Sequence, residues 1–226
     1  MSDSQDVDVA LFPIPNVVAF PGVDLPLHVF EPRYRSLVTD CVAAQRMIGV
    51  CHTIKAIHKP GGKNPNKPQS LETLLNTNQT TYKAQAIFSA GQCEILETLS
   101  DGRILANVKV EQRLRQLEEL QSLPYRIVRC TPLPDEETNW AEELNNAKEL
   151  QQSVHQRFQA LVAKENSEMA ALLSDPLWSE LSPADYSFRI FQCLRFDADL
   201  MQQILESRSA IERLRILAQL LQGSPG

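Results

Sequence analysis

The sequence predicts an α+β protein with a β-rich first part and a helical second part. Short apolar segments separated by turn residues fill the first part, whereas apolar residues recur at helical spacing in the second. The charge changes at nearly the same place, because residues 1–130 carry 14 basic and 13 acidic groups and residues 131–226 carry 8 and 15. We therefore assign residues 1–133 to a β-rich domain and residues 134–226 to an α-helical bundle.

The composition is that of an ordinary globular protein. Of the 226 residues, 43% are hydrophobic and 22% are charged, and the formal net charge is −6. This composition excludes wholesale disorder, and the apolar runs are too short for a membrane helix. The N-terminus is acidic and polar and lacks the basic start and apolar stretch of a secretory signal, so we expect a cytoplasmic protein. The acidic balance does not predict a nucleic-acid interface.

The strands are predicted from short apolar segments. Three prolines interrupt residues 11–22, so this segment is expected to be an edge strand or a turn rather than a central strand. The turn Ser100-Asp101-Gly102 predicts a hairpin, because Asp and Gly tolerate the positive φ of tight turns. Together the strands are typical of a small barrel or sandwich. The other predicted strands cover residues 25–30, 47–54, 81–89, 91–100, 104–114 and 124–133.

One helix and one long loop interrupt these strands. Pro32 suits the first turn of a helix, where a missing N–H costs nothing. The helix is predicted to bury one apolar face formed by Tyr34, Leu37, Val38, Cys41 and Val42. Residues 55–80 are rich in Lys, Pro, Gly and Asn, which indicates a long exposed loop.

The second part predicts a bundle of four or five helices. A long amphipathic helix covers about 136–164, and most of the acids between Asp135 and Glu149 are expected on its solvated outer side. Ser182 and Pro183 predict the start of a helix, Asp197 can cap another, and Ser209 begins a capping box.

Motifs for catalysis and for cofactor binding are missing from the sequence. It contains neither a phosphate-binding glycine motif nor the G-x-S-x-G of a serine hydrolase. Its five cysteines form no C-x-x-C pair, so we expect buried free thiols, no metal and no cofactor. Cys51, His52 and His58 do not predict a metal cluster, because a strand would place Cys51 and His52 on opposite sides. We expect Cys51 to be buried and His52 to be exposed. A cysteine–histidine nucleophile formed by residues distant in sequence stays open.

The segment 11–38 resembles the opening of the Lon protease N-terminal (substrate-binding) domain family, whose pattern is proline-spaced and ends in FEPRY. Asp101-Gly102-Arg103 and the strand containing Arg113 and Arg115 match further parts of that family, and the C-terminal helices end in its Arg213-Leu214 dipeptide. One departure is Val110, which stands where the family usually has glycine and is therefore expected to give a more regular strand. Fifteen residues match the opening pattern: Phe12, Pro13, Asn16, Val17, Val18, Phe20, Pro21, Gly22, Leu25, Pro26, Leu27, Phe30, Glu31, Arg33 and Tyr34.

The resemblance implies a PUA-like β-barrel with one inserted helix, followed by an α-helical bundle. It also implies a stand-alone, non-enzymatic relative without the ATPase and protease domains of Lon. Such a protein would bind unfolded or partly folded polypeptide in protein quality control, with a protease or a chaperone as a further partner.

Recognition of unfolded chains needs an apolar groove or an unpaired strand edge. The resemblance points to eight candidate binding residues: Pro13, Pro15, Phe20, Pro21, Pro26, Phe30, Tyr34 and Arg113. The prolines could hold an edge open or simply shape turns, and the aromatic side chains could line a site or belong to the core.

Two other functions stay open alongside this one. The first is an uncharacterised hydrolase or small-molecule enzyme that uses a cleft in the barrel. The second is RNA binding, which only the lysines from Lys55 to Lys67 favour. The oligomeric state is open as well.

Overall fold

The computed structural model describes residues 5–58, 81–136, 141–163 and 166–222. The chain divides into two compact units. The first consists of Met1–Leu133 with Asp197–Gln202, and the second of Pro134–Phe196 with Gln203–Gly226. The α+β architecture predicted from the sequence is confirmed, with a large β-sheet in the first part and helices in the second.

The first unit is built around a closed β-barrel. The six-stranded sheet has the order β2-β7-β6-β3-β1-β8, and β8 also pairs with β7. Five strands therefore close into a ring, and β2 is attached to β7 outside it. A separate pair is formed by β4 and β5. The strands are β1 (Val7–Pro13), β2 (Asp24–Val29), β3 (Ile48–Cys51), β4 (Thr53–His58), β5 (Thr81–Ala84), β6 (Ile87–Thr98), β7 (Ile104–Gln121) and β8 (Ile127–Pro132).

Strand β1 lies between β8 and β3 in the sheet order, but the register pairs residues 11–13 with β3 alone, in agreement with the edge position expected for this segment. It pairs in parallel with β3 and antiparallel with β8. Pro13 is the last residue of β1, so the N–H that it lacks falls at the end of the ladder. Residues 14–22 form the turns and irregular chain that the prolines predicted.

The hairpin predicted at Ser100-Asp101-Gly102 is confirmed between β6 and β7. Leu99 donates its N–H to the carbonyl of Arg103 over 2.8 Å, and Gly102 donates to that of Leu99 over 2.9 Å. Gly102 has a φ of +83°, which a side chain would disfavour.

A β-bulge interrupts the pairing of β6 with β7 at Val110. Ala90 lies opposite Gln112 and Gly91 lies opposite Val110, so β7 has one extra residue there. The expectation that Val110 makes this strand more regular is therefore wrong. Gly91 supplies the close approach instead, because a Cβ on it would collide with the carbonyl oxygen of Lys109.

The inserted helix α1 (Pro32–Ala44) begins at Pro32 as predicted. Tyr34, Leu37, Val38 and Cys41 are buried in a core shared with β1, β2 and β7. Val42, predicted on the same face, is 37% exposed. It lies at the margin of that face and is left in solvent.

The loop predicted over residues 55–80 is shorter at its N-terminal end. Residues 55–58 belong to β4, which pairs with β5. Residues 59–80, including Lys59, Lys63 and Lys67, lie outside the described residues.

The described residues after 134 form six α-helices, which exceeds the four or five that were predicted. The spacing of apolar residues did not indicate the short helices α3 and α4. A 3-10 turn, Ile190–Gln192, follows α5. The helices are α2 (Ala141–Val162), α3 (Ser167–Leu173), α4 (Leu177–Glu180), α5 (Pro183–Arg189), α6 (Ala198–Glu206) and α7 (Ala210–Leu220).

The predicted helix caps are confirmed. The hydroxyl of Ser182 accepts the N–H of Asp185 at 3.1 Å, and that of Ser209 accepts the N–H of Glu212 at 3.3 Å. Asp197 accepts the N–H of Asp199 at 2.9 Å. Each cap satisfies a donor that has no partner inside its helix.

Asp135 is an exception to the solvated outer side expected for most acids of this range, because it pairs with a buried arginine. Its two carboxylate oxygens accept hydrogen bonds from Nη1 and Nη2 of Arg213, the former at 2.8 Å. The Arg213 side chain is fully buried and lies 3.9 Å from the ring centre of Phe188. Its Nε donates to the Ser187 hydroxyl at 2.9 Å. The guanidinium is therefore the polar centre of the second unit.

Candidate functional site

The described residues form a mainly apolar groove with a volume of about 420 Å³. Three segments form it: residues 12–17 at the end of β1 and beyond, residues 25–29 of β2, and residues 30–34 at the entrance to α1. We call it the β2 groove. Its lining residues are Phe12, Pro13, Ile14, Pro15, Val17, Leu25, Pro26, Leu27, His28, Val29, Phe30, Glu31, Arg33 and Tyr34.

The first wall is a turn held in place by main-chain contacts. Ile14 donates its N–H to the carbonyl of Cys51 at 3.0 Å. Asn16 adopts a φ of 60°, a left-handed conformation that asparagine tolerates well. The N–H of Asn16 then donates to Nδ1 of His52 at 3.1 Å. These bonds present Pro15 and Val17 to the groove.

His52 is buried, with 6% of its surface exposed, so the expectation of an exposed histidine is wrong. Its Nδ1 accepts from Asn16, and its Nε2 lies 3.4 Å from a carboxylate oxygen of Asp199. Cys51 is buried as predicted. Side chains do point to alternate sides along this segment, but other residues cover both sides here. Cys51 and His52 are therefore both buried.

The second wall is strand β2. Five consecutive residues of this strand, 25–29, line the groove. Successive side chains in a strand point to opposite faces, so a concavity that touches all five runs along the strand's edge. Among the described strands β2 pairs with β7 alone, so its other edge borders the groove.

The third wall combines aromatic rings with a paired charge. The rings of Phe12 and Tyr34 stack with centres 4.4 Å apart. The guanidinium of Arg33 lies 4.5 Å from the Tyr34 ring centre, and its Nη2 pairs with a carboxylate oxygen of Glu31 at 3.0 Å. Burial raises the pKa of the Tyr34 hydroxyl well above its usual value. The wall is therefore apolar, with its two opposite charges paired to each other.

The predicted binding residues fall into two groups. Pro13, Pro15, Pro26, Phe30 and Tyr34 line the groove. The other three do not: Phe20 is a core residue with 2% exposure, Pro21 is half-buried in a turn, and Arg113 is buried on β7 opposite Ser89.

Sequence reasoning missed the aliphatic part of the groove. Ile14, Val17 and Leu25 are only partly buried, and each lies beside a proline or aromatic position already identified. The same proline-spaced segment could have identified them, if its two apolar stretches had been interpreted as facing walls of one groove. Their neighbours Leu27 and Val29 continue into the core.

The groove offers few side chains that could act in catalysis. Its described lining residues include no serine, threonine, cysteine or lysine. Burial raises the pKa of Cys41, Cys51 and Cys130 to about 12, which leaves these thiols protonated at neutral pH. Within the described parts of the chain, no three His, Cys, Asp or Glu side chains are grouped so that they could hold a metal ion. The helices described there are also too short or too polar to cross a membrane.

The chain is similar in sequence to part of a Lon protease. Lon protease 1 of Herpetosiphon aurantiacus is 27% identical over 128 residues, which are 57% of this chain and 14% of that protease. The chain thus matches only a small part of the length of this relative.

Two solved structures share the fold. The N-terminal domain of Lon protease from the Mycobacterium avium complex superposes with a TM-score of 0.67 at 15% identity, covering 96% of this chain and 100% of that one. The Lon N-terminal domain protein of Xanthomonas campestris gives 0.56 at 19% identity, covering 97% and 99%. The family model of the ATP-dependent protease La (LON) substrate-binding domain matches residues 8–223, and the chain therefore belongs to that family.

Proposed function

We propose that the protein is a non-catalytic binding module that holds apolar segments of unfolded or partly folded polypeptides in the β2 groove. It would do so in the cytoplasm as part of protein quality control, with a protease or a chaperone receiving the bound chain. The observation that carries this proposal is an apolar groove bordered by a strand edge. Membership of a substrate-binding domain family supports it.

The chemistry of the groove favours unfolded chains over folded ones. Ile14, Val17 and Leu25 leave part of their apolar surface in solvent, and a ligand that covers them gains about 25 cal/mol per Å² removed from water. Folded proteins bury such side chains, whereas unfolded ones expose them.

The paired charges favour an uncharged ligand. Glu31 and Arg33 satisfy each other at 3.0 Å, and the side chain of each is only 12% exposed. A charged ligand group placed here would have to compete with this pair after losing its own water. Apolar segments avoid that cost.

Equilibrium binding tests the proposal. The probe is fluorescein-labelled α-lactalbumin, either reduced and carboxamidomethylated or native, and the readout is fluorescence anisotropy. The unfolded form should bind at micromolar concentration and the native form should not. Equal binding of the two forms, or binding of neither, would contradict the proposal.

A pair of matched variants localises the binding. Phe30 lines the groove, whereas Leu96 is 63% exposed on β6 and does not. Phe30→Ala should weaken binding several-fold, because it removes a large apolar contact surface. Leu96→Ala removes a comparable exposed apolar side chain and should leave the affinity unchanged. An equal effect of both variants would place the binding outside the groove.

A further inference from the structure

Among the described strands only β7 neighbours β2, so the main chain of β2 offers hydrogen-bonding groups along its other edge. Register places Leu25 opposite Val108, Pro26 opposite Asn107 and Leu27 opposite Ala106. In an antiparallel pair, residues alternate between those that exchange hydrogen bonds with the partner and those whose N–H and C=O point away. Which residues of β2 point away can be derived from a neighbouring contact.

That contact is the hydrogen bond from the N–H of Gly22 to the carbonyl of Val110, 2.8 Å long. Gly22 leads into β2, so the Val110 carbonyl points to the β2 side of β7. Main-chain groups alternate along a strand, so Val108 and Ala106 also face β2. Their partners Leu25 and Leu27 therefore use their main-chain groups on β7.

The residues that alternate with these along β2, namely Asp24, Pro26 and His28, then direct their main chain to the free edge. The position of Pro26 agrees with this, because proline occurs in edge strands where its nitrogen faces away from the ladder. The free edge thus offers the N–H groups of Asp24 and His28 and three carbonyl groups. This is the same edge along which the groove runs.

From this arrangement we infer that the occupant of the groove is an extended polypeptide segment that adds to β2 as a further strand. The inference rests on the proposed function and specifies how the ligand is held. The main chain of the ligand would bond to Asp24, Pro26 and His28. Its alternate side chains, on the face of Leu25 and Leu27, would lie against Ile14 and Val17.

The dimensions and charges fit such a ligand. Residues 25–29 span about 16 Å at roughly 3.3 Å per residue, which accommodates a strand of about five residues. The main-chain bonds are independent of sequence, and the apolar wall prefers valine-like or aromatic side chains at every second position. Because Glu31 and Arg33 pair with each other, this wall does not favour a charged side chain on the ligand.

Pro26 also disfavours pairing of this edge with another copy of this chain. It removes one donor from the middle of the free edge, and the exposed Asp24 would meet a like charge in many edge-to-edge registers. A foreign strand can still bond to His28 and to the Pro26 carbonyl.

The test uses a fluorescein-labelled eight-residue peptide in which valine alternates with threonine. One isomer has N-methyl groups on the valines and the other on the threonines, so each blocks the N–H groups of one strand edge only. Strand addition predicts that one isomer binds about tenfold or more weakly, through the loss of main-chain hydrogen bonds, while the other stays within about threefold of the parent. Equal retention or equal loss in both isomers overturns the inference but leaves the proposed function standing. A parent peptide that does not bind also overturns the inference, whereas the proposed function is decided by the comparison of unfolded with native α-lactalbumin.

Variants of His28 test the protein's side of the same bonds. His28→Pro removes the edge N–H, whereas His28→Ala keeps it and removes only the side chain. Peptide binding should fall several-fold further in the first variant than in the second, which loses only the groove contact of the side chain. An equal loss in both variants would overturn the inference. In the unaltered protein, hydrogen exchange of the His28 amide should slow when the parent peptide is added, and an unchanged rate would overturn the inference. If ultracentrifugation shows a dimer that His28→Pro dissociates, the occupant is a second copy of this chain and the inference is wrong.

Discussion

The main-chain N–H of Asn16 donates to Nδ1 of His52 at 3.1 Å, across 36 residues of sequence. This bond joins the turn that forms one wall of the β2 groove to the chain that follows β3. Because Nδ1 accepts the bond, it carries no proton in this contact. The position of the wall therefore depends on a side chain that does not itself line the groove.

His52→Ala should destabilise the protein and weaken peptide binding together. It leaves the Asn16 N–H without its acceptor, which costs about 1–3 kcal/mol when the donor is shielded from water. The free energy of unfolding can be measured with urea, and peptide affinity by anisotropy. His28→Ala, at an exposed histidine, is the control and should change stability by less than about 0.5 kcal/mol. If the two variants are equally stable, the bond does not hold the wall.

The buried pair of Arg213 and Asp135 should dominate the stability of the second unit. Asp135→Asn leaves the fully buried guanidinium without its carboxylate, which costs about 3–5 kcal/mol. Glu136→Gln is the matched control, because Glu136 pairs with Arg208 at 3.6 Å on the surface. Such exposed pairs contribute at most about 1 kcal/mol. Urea midpoints of the two variants should differ clearly, and similar midpoints would refute a dominant role for the buried pair.

Local signals in the sequence predicted local structure well. The Ser100-Asp101-Gly102 hairpin, the helix beginning at Pro32 and the caps at Ser182 and Ser209 are each encoded within a few neighbouring residues. The structure of these elements depends little on contacts with distant parts of the chain.

Features that depend on distant partners could not be predicted in this way. Asp135 and Arg213 are 78 residues apart, and the acid looked like one of a solvated series. The place of β1 between β3 and β8 depends on strands distant in sequence, and its pairing with β8 lies in residues 7–10, outside the segment 11–22. His52 is likewise buried only because the turn after β1 covers it.

The candidate site was predictable in part for the same reason. The proline-spaced segment contains most of the groove, so five of its residues could be identified. Phe20 and Arg113 carry equally suggestive side chains, but the fold turns them into the interior. The free edge of β2 is a property of sheet order, which the sequence does not display.

Gly91 should tolerate no side chain. A Cβ there would collide with the carbonyl oxygen of Lys109, and two paired strands cannot easily move apart. Gly91→Ala should therefore destabilise more than Gly22→Ala, whose Cβ meets nothing within 4 Å but is strained by a φ of +78°. That strain alone costs about 1–2 kcal/mol. Thermal unfolding of both variants ranks them, and an equal loss would mean that the bulge can relax.

Three buried thiols and the partly buried thiol of Cys93 should be inert in the folded protein. Burial raises the pKa of Cys41, Cys51 and Cys130 to about 12 and that of Cys93 to about 11. Since the thiolate is the reactive form, a chromogenic disulfide reagent should label these four cysteines at pH 7 far more slowly than in urea. Rapid labelling of any of them in the native state would revive the possibility of a cysteine nucleophile.

Stability should fall in mild acid because of His155. Burial lowers the pKa of this histidine below its ordinary value of 6.5, although a backbone hydrogen bond to Leu173 acts in the opposite direction. Its ring lies against Trp178 and Tyr186, with centres 6.0 and 5.8 Å away.

Between the lowered folded-state pKa and 6.5 the unfolded chain binds more protons, so the free energy of unfolding rises with pH in that window. His155 therefore contributes fully above about pH 6.5, and its contribution is lost as the pH falls. Urea midpoints measured between pH 5 and 7.5 should show this slope. His155→Gln should flatten it, and an unchanged slope would assign the acid sensitivity to other groups.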